Sequence, residues 1–447
     1  MSVDLKKENL LSSWKEIASY LDCNVRTCYR WEKKVGLPVH RFRDSNGARA
    51  FAYKDELDKW LAERTEDKYI PKKAFFLNIR WHKIYYFFLP FVALIAAFII
   101  YIFLGFPLNA PKPADFKIVN SSLIILNNKG KELWRYNTGI ENLVEEKVYR
   151  EHFQFKRNRE DRPGTRDLPH IIIKDINNDN SSEVLFSTQT QNEFNEGELF
   201  CFDHKGNHMW KFEVGNEMKF GPKVYSQDYR IMGFEVCDLD NDGKLEIIVI
   251  SIQNPYFPTQ LVILDAEGKI LGEYWNSGHL TDIDFVDLNE DGRKEIIVVG
   301  MNNEYKKGCL VVFDSTLIKG SSPQKNNFYR CSELEPGLEK LYVLFPRTDV
   351  DKIEYLVEAI IRVDILKNNR LSLLTQMSCI LYELNYKLQL HDVRFGHKFE
   401  QMHKEARREG KIKSELNEEY KRNLEKGLLY YDGENWSSKH AMSNPWK

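Results

Sequence analysis

From Trp14 onward the apolar positions are Trp14, Ile17, Ala18 and Leu21, the i, i+3, i+4, i+7 spacing of one buried helix face. Ser13, followed three residues on by Glu16, is a capping-box start for that helix. Asp22-Cys23-Asn24 interrupts the pattern, and Asn24 is placed to cap a second helix from Val25 to about Lys34. Val25, Cys28 and Trp31 share one side of it, and Arg26, Arg30, Lys33 and Lys34 the other. After Gly36-Leu37-Pro38, residues 39–53 alternate about Asn46-Gly47, which predicts a hairpin. Leu57, Trp60 and Leu61 mark a last helix, Asp55 to Arg64, turned toward the same core.

The next pattern is of another kind. Ile84 to Phe106 contains no charged residue, and its length suits a helix crossing about 30 Å of hydrocarbon at about 1.5 Å per residue. A buried core helix is usually shorter, and a cleaved signal peptide starts near residue 1. The run is therefore expected to span a membrane, with Pro90 tolerated inside it and Trp81, Tyr85, Tyr86 and Tyr101 at the interfaces. Farther on, three phrases each read strand, turn, strand: LIILNNKGKELWRYNTG (123–139), LFCFDHKGNHMWKFEVG (199–215) and LVILDAEGKILGEYWNSG (261–278). LVVFDSTLIKG (310–320) is a degenerate fourth. Such recurrence predicts a propeller or related radial β array. Residues 325 to 390 lack the motif, yet closure takes at least about four blades, so this stretch is expected to supply some. From His391 the chain turns charge-rich and helical, with stops at Gly410 and Gly427, and 428–436 reads as a hairpin around Asp432-Gly433.

The fold class expected is thus multidomain: a small α+β winged helix-turn-helix, a single transmembrane α-helix, and an all-β propeller-like repeat domain with a helical C-terminal tail. The domains run 1–66 (DNA-binding), 67–83 (basic juxtamembrane linker), 84–106 (span), 113–390 (β repeats) and 391–447 (tail).

Charge sharpens the division. Residues 1–83 hold 18 Lys/Arg against 12 Asp/Glu, so with −2 overall the remainder carries a net −8. A basic part and an acidic part suit phosphates and cations respectively. Lys68, Lys72, Lys73, Arg80 and Lys83 precede the span and only Lys112 and Lys117 soon follow it, which predicts N-in, C-out topology. Ala93 and Ala97 have the small-xxx-small spacing through which two copies of a span pair, consistent with a homodimer. The seven cysteines form no disulfide framework: Cys201, Cys237, Cys309, Cys331 and Cys379 are an odd, widely spaced set, and nothing supports a Cys331–Cys379 bridge.

Two short helices joined by a tight turn, the second bearing cations, make a helix-turn-helix with a recognition helix for the major groove. VRTCYRWEKKVGLPVHR…ARAFAY resembles the winged helix-turn-helix of the MerR and excisionase families over residues 12 to 64. The resemblance implies that Arg26, Thr27 and Arg30 face bases or phosphates, that Tyr29 and Lys33 flank them, and that Arg41 and Arg43 hold backbone from the wing. The MerR dimerisation coiled coil is missing, because Pro71 and the span arrive where it would begin.

Three segments after apolar strands repeat oxygen-bearing residues at positions 1, 3, 5 and 9. They are Asp175, Asn177, Asp179, Glu183; Asp238, Asp240, Asp242, Glu246; and Asp287, Asn289, Asp291, Glu295. Hard cations such as Ca²⁺ take six to eight oxygens, and a tight loop with alternate side chains turned inward supplies them. Gly243, Gly292 and Asn180 suit the positive φ of such loops. An EF-hand would carry its Glu at position 12 between helices, so this is a strand–loop–strand site. The loops resemble FG-GAP or VCBS repeats, the calcium-loop blades of integrin-type propellers, which implies structural Ca²⁺.

No GxSxG, Walker, GxGxxG, CxxC or HExxH signature is present and the histidines are scattered, so no enzyme is expected. The function expected is a membrane-anchored transcription regulator in the cytoplasmic membrane of a bacterium. It binds double-stranded DNA inside and an unidentified ligand or protein outside, through a calcium-braced sensor or interaction domain. The alternative is a surface interaction or adhesion protein whose cytoplasmic module anchors without regulatory DNA binding.

Overall fold

A computed structural model describes residues 9–44, 47–65, 111–151, 168–190, 197–254, 257–354, 357–431 and 433–438. The chain divides into two compact units, Met1–Phe106 and Pro107–Lys447. The run Ile84–Phe106 and the linker before it lie outside the described residues. Among the described residues no helix is long and apolar enough to cross a membrane, so the expected span has no support there.

The first unit holds β1 (Leu10–Leu11), α1 (Trp14–Tyr20), α2 (Val25–Val35), β2 (His40–Asp44), β3 (Gly47–Tyr53) and α3 (Lys54–Thr65). Local chemistry sets the helix ends. Ser13 Oγ accepts the Glu16 N–H at 3.3 Å, while the Glu16 carboxylate reaches the Ser12 N–H at 2.8 Å, one residue earlier than a capping box requires. Asn24 Oδ1 accepts the Thr27 N–H at 2.8 Å, and α2 stops where Gly36 turns left-handed at φ +68°. Ile17, Cys28, Ala52 and Leu57 are fully buried between the helices and the sheet. Trp60 donates its indole N–H to the Val35 carbonyl at 3.2 Å and so ties α3 to the end of α2. Leu61, expected in this core, is exposed. The pairing of β1 with β3 went unforeseen, because two residues are too few to show a period.

The second unit is mostly β. A three-stranded sheet spans Pro113 to Asn137 and a four-stranded one Ile171 to Glu213. A third has four antiparallel strands, Tyr229 to Asn276, with Lys319–Ser321 added in parallel. The fourth runs from Leu280–Val286 through Glu295–Asn302, Lys307–Phe313 and Leu341–Leu344, and the fifth from Ile360 to Arg394. Strands such as Glu246–Gln253 and Thr259–Leu264 are buried along their whole length, with both faces covered. Successive sheets are joined near their first strands, giving a propeller-like array. Thr281 Oγ1 donates to the Ile360 carbonyl at 2.7 Å, and the Val363 N–H donates to Asp282 Oδ2 at 3.0 Å.

The stretch without the motif supplies the fifth sheet, and its turn is the repeated one in disguise. Asn385 Oδ1 accepts the N–H groups of Lys387 and Gln389, as Asp203 Oδ1 accepts those of Lys205 and Asn207. Leu388, at φ +58°, stands where the other turn has Gly206. The last segment is no detached tail. Helices His397–Arg408 and Glu418–Lys426 bury Phe399, His403, Ala406, Tyr420 and Leu424, and Leu429–Tyr431 then pairs with Leu341–Leu344. All seven cysteines are free, Cys331 and Cys379 included.

Candidate functional site

In the first unit, helical spacing puts Arg26, Arg30 and Lys33 on one exposed face of α2. Two expected partners are engaged within the module instead. Thr27 Oγ1 donates to Asn24 Oδ1 at 2.9 Å, completing the cap, and the Tyr29 ring packs 4.2 Å from that of Trp14. Arg41 is exposed on β2 and ion-paired with Glu32 of α2 at 2.8 Å. Arg43 lies in the same strand, its side chain outside what is described. Sequence reading missed Phe42, which is 65% exposed between these two arginines. An alternating strand pattern assigns such a residue to the covered face, so nothing local signals its exposure.

In the second unit the three acidic loops occupy one place in three successive sheets, between first and second strands. Lys174 pairs with Glu183, Cys237 with Glu246 and Val286 with Glu295 across those loops. Their wiring is shared. The ninth residue accepts the N–H of the second: Ile176 to Glu183 at 3.0 Å, Leu239 to Glu246 at 2.8 Å, Leu288 to Glu295 at 2.8 Å. The first residue accepts the N–H of the sixth: Asn180 to Asp175 at 2.8 Å, Gly243 to Asp238 at 3.2 Å, Gly292 to Asp287 at 2.8 Å. The fifth accepts the N–H of the seventh, with Ser181, Lys244 and Arg293 donating to Asp179, Asp242 and Asp291. Positive φ occurs at positions four and six in every loop, at Asn178 and Asn180, Asn241 and Gly243, Glu290 and Gly292. The fourth position was not anticipated, because Asn and Glu carry no glycine-like signal.

In the second loop these bonds take one oxygen of each carboxylate, whereas in the first and third loops Asp175 and Asp287 accept through both. In the second loop the carboxylate oxygens of Asp238, Asp240 and Glu246 lie within 4.8 Å of one another. Asp238 Oδ1 is buried there without a hydrogen-bond partner. An all-oxygen donor set with an orphaned buried oxygen fits a hard divalent cation. Burial pushes the Glu183 carboxyl up to about 7, with Asp179 and Asp175 adding to the shift. Burial also raises Glu246, followed by the charges of Asp240 and Asp242. Glu295 is raised by burial too, but there Lys340 works against the shift. Sequence reading missed Lys340 as well, whose ammonium lies 3.3 Å from Glu295. It lies outside the repeated phrases, and only strand pairing brings it to the loop.

No protein-family model matches the chain. No curated protein matches it either. Similar solved structures include BBS1N in complex with ARL6DN, 9% identical, covering 64% of this chain and 71% of that one at a TM-score of 0.32. The Dos1 propeller is 7% identical, covering 62% and 65%, at 0.31. The exotype rhamnogalacturonan lyase YesX is 13% identical, covering 49% and 39%, at 0.28. The expectation of a non-enzyme is corrected on this point. Rhamnogalacturonan lyases are among the similar solved structures, and no activity, or lack of one, is assigned from the likeness.

Proposed function

We propose that the chain is a membrane-anchored transcription regulator. Residues 12–64 form a winged helix-turn-helix that binds duplex DNA, Ile84–Phe106 spans the cytoplasmic membrane of a bacterium with the N-terminus inside, and the β unit lies outside. The observation that carries this reading is the exposed row Arg26, Arg30 and Lys33 on a helix capped by Asn24 and braced by the hairpin. Cations on the one helix that the turn presents are what a major-groove reader needs, and phosphate contacts then make affinity fall with salt. Arg26, Arg30 and Lys33 meet the DNA, Arg41 only as far as Glu32 gives it up, and Thr27 and Tyr29 shape the helix end.

The β unit is a sensor or interaction domain for an external ligand or protein, FG-GAP/VCBS-like and braced by structural Ca²⁺ at its acidic loops. The orphaned Asp238 oxygen beside Asp240 and Glu246 supports the ion. Pairing of two copies through Ala93 and Ala97 would match a two-fold DNA site. Binding of the full chain to labelled duplex DNA across a salt series tests the reading. Affinity should fall steeply with salt and collapse when Arg26, Arg30 and Lys33 are replaced by Ala together. Unchanged binding by that triple variant rejects the face.

A further inference from the structure

The three acidic loops share one wiring but not one electrostatic setting. In the fourth sheet Leu341 pairs with Val312, and Lys340, one residue earlier, brings its ammonium to the third loop. Lys340 Nζ lies 3.3 Å from Glu295 Oε1 and 3.1 Å from Asp314 Oδ2. Glu295 is the ninth residue of that loop and is only 3% exposed. The Asn289 amide donates to the same Oε1 at 2.9 Å and to Asp291 Oδ2 at 3.0 Å. The inner oxygens of the third loop therefore already face a full positive charge and a pair of donors.

The second loop is the internal control. In its sheet the same register is Gly272 opposite Ile263, and the residue before it is Leu271, which has no charge to offer. A cavity of about 230 Å³ lies there instead, lined by Asp240, Glu246, Leu271, Gly272 and Ile318 among others. Among the described residues no Lys or Arg is paired with Asp238, Asp240 or Glu246.

We propose that Lys340 is the built-in cation of the third acidic loop, standing against Glu295 in place of a metal ion and keeping Ca²⁺ out. A calcium ion and an ammonium a few ångströms apart repel, and Glu295 Oε1 cannot serve both. The ammonium stays because it is covalently attached and meets a second carboxylate, Asp314. This inference rests on the reading of the other acidic loops as calcium sites and sets the third apart from them.

The test is calcium stoichiometry of the full chain, measured by equilibrium dialysis at low ionic strength with Ca²⁺ as the only probe. Lys340→Met should bind about one ion more than the parent chain, and adding Asp291→Asn should remove it. Asp291→Asn alone should leave the parent stoichiometry unchanged, whereas Asp240→Asn should lower it by about one. Lys340→Arg, which keeps the charge, should behave as the parent and controls for a folding defect in Lys340→Met. Loss of an ion on Asp291→Asn alone, or no gain on Lys340→Met, overturns the proposal. A parent chain that binds no Ca²⁺ while Lys340→Met acquires an ion refutes metal at the second loop and upholds the role of Lys340.

Discussion

The Arg41 guanidinium lies 2.8 Å from the Glu32 carboxylate, joining the hairpin to the helix that displays Arg26 and Arg30. The pair holds a wing cation against the back of α2 rather than free for phosphate. Such a half-exposed pair contributes little to stability, about 0–1 kcal/mol. Its effect on binding is larger, because neutralising Glu32 releases a cation at the interface. Glu32→Gln is expected to tighten duplex DNA binding several-fold and steepen its salt dependence. Arg30→Ala is expected to weaken it by about 1–3 kcal/mol if the side chain reads a base. Arg41→Ala should cost less than Arg30→Ala. Fluorescence anisotropy of the three variants across a salt series checks the order.

Asn24 caps α2 through the Thr27 N–H and also accepts the Thr27 hydroxyl. Asn24→Ala should therefore cost about 1 kcal/mol, or about 4–8 °C in the melting of a module this small. Asn24→Asp should be nearly neutral, since a carboxylate caps as well. Circular dichroism melts separate the two variants.

Stability of the β unit should depend on pH in opposite ways with and without calcium. Burial raises Glu183 and Glu339 from an ordinary 4.5 to about 7. Between those values the folded chain binds protons that the unfolded chain does not, so in chelator the melting temperature should rise as pH falls from 7.5 toward 5. Asp203, Asp349 and Asp392 are held below their ordinary value, so their contributions are lost only at lower pH, outside that window. Saturating Ca²⁺ favours charged carboxylates in the loops and should flatten or reverse the rise. An identical pH trend in calcium and in chelator would mean that no ion reaches Glu183 or Glu246.

Gly130 and Gly268 sit in equivalent turns at φ +72° and +81°, yet differ in surroundings. A Cβ at Gly268 would stand 2.6 Å from the Trp210 ring, whereas at Gly130 nothing lies within 4 Å. Gly130→Ala should carry only the left-handed backbone cost, about 1–2 kcal/mol. Gly268→Ala should carry that and the displacement of Trp210, whose indole N–H donates to the Ala266 carbonyl at 2.9 Å. Urea unfolding of both variants should place Gly268→Ala clearly lower.

The topology has its own test. A reporter active only outside the cytoplasm should work when fused after residue 120 and stay silent when fused after residue 68. The reverse pattern would refute the bias of cations toward the N-terminal side of the uncharged run.

What the sequence by itself determined lies within a few residues of each signal. The Ser13 and Asn24 caps, the Gly36 stop, the pairing of β2 with β3 and the nine-residue acidic loops all depend on bonds between near neighbours. The residue types therefore specify them directly. The tertiary structure alone decided which of those residues remain available. Arg41 is engaged by Glu32, Leu388 fills a glycine's place in the fifth sheet, and Lys340 reaches Glu295 across 45 positions of chain. Each depends on which strands lie side by side, and side-chain alternation records which face is buried without naming the neighbour that covers it. The charge state of the acidic loops follows that rule: their oxygens are legible in the chain, but the cation that meets them is set by packing.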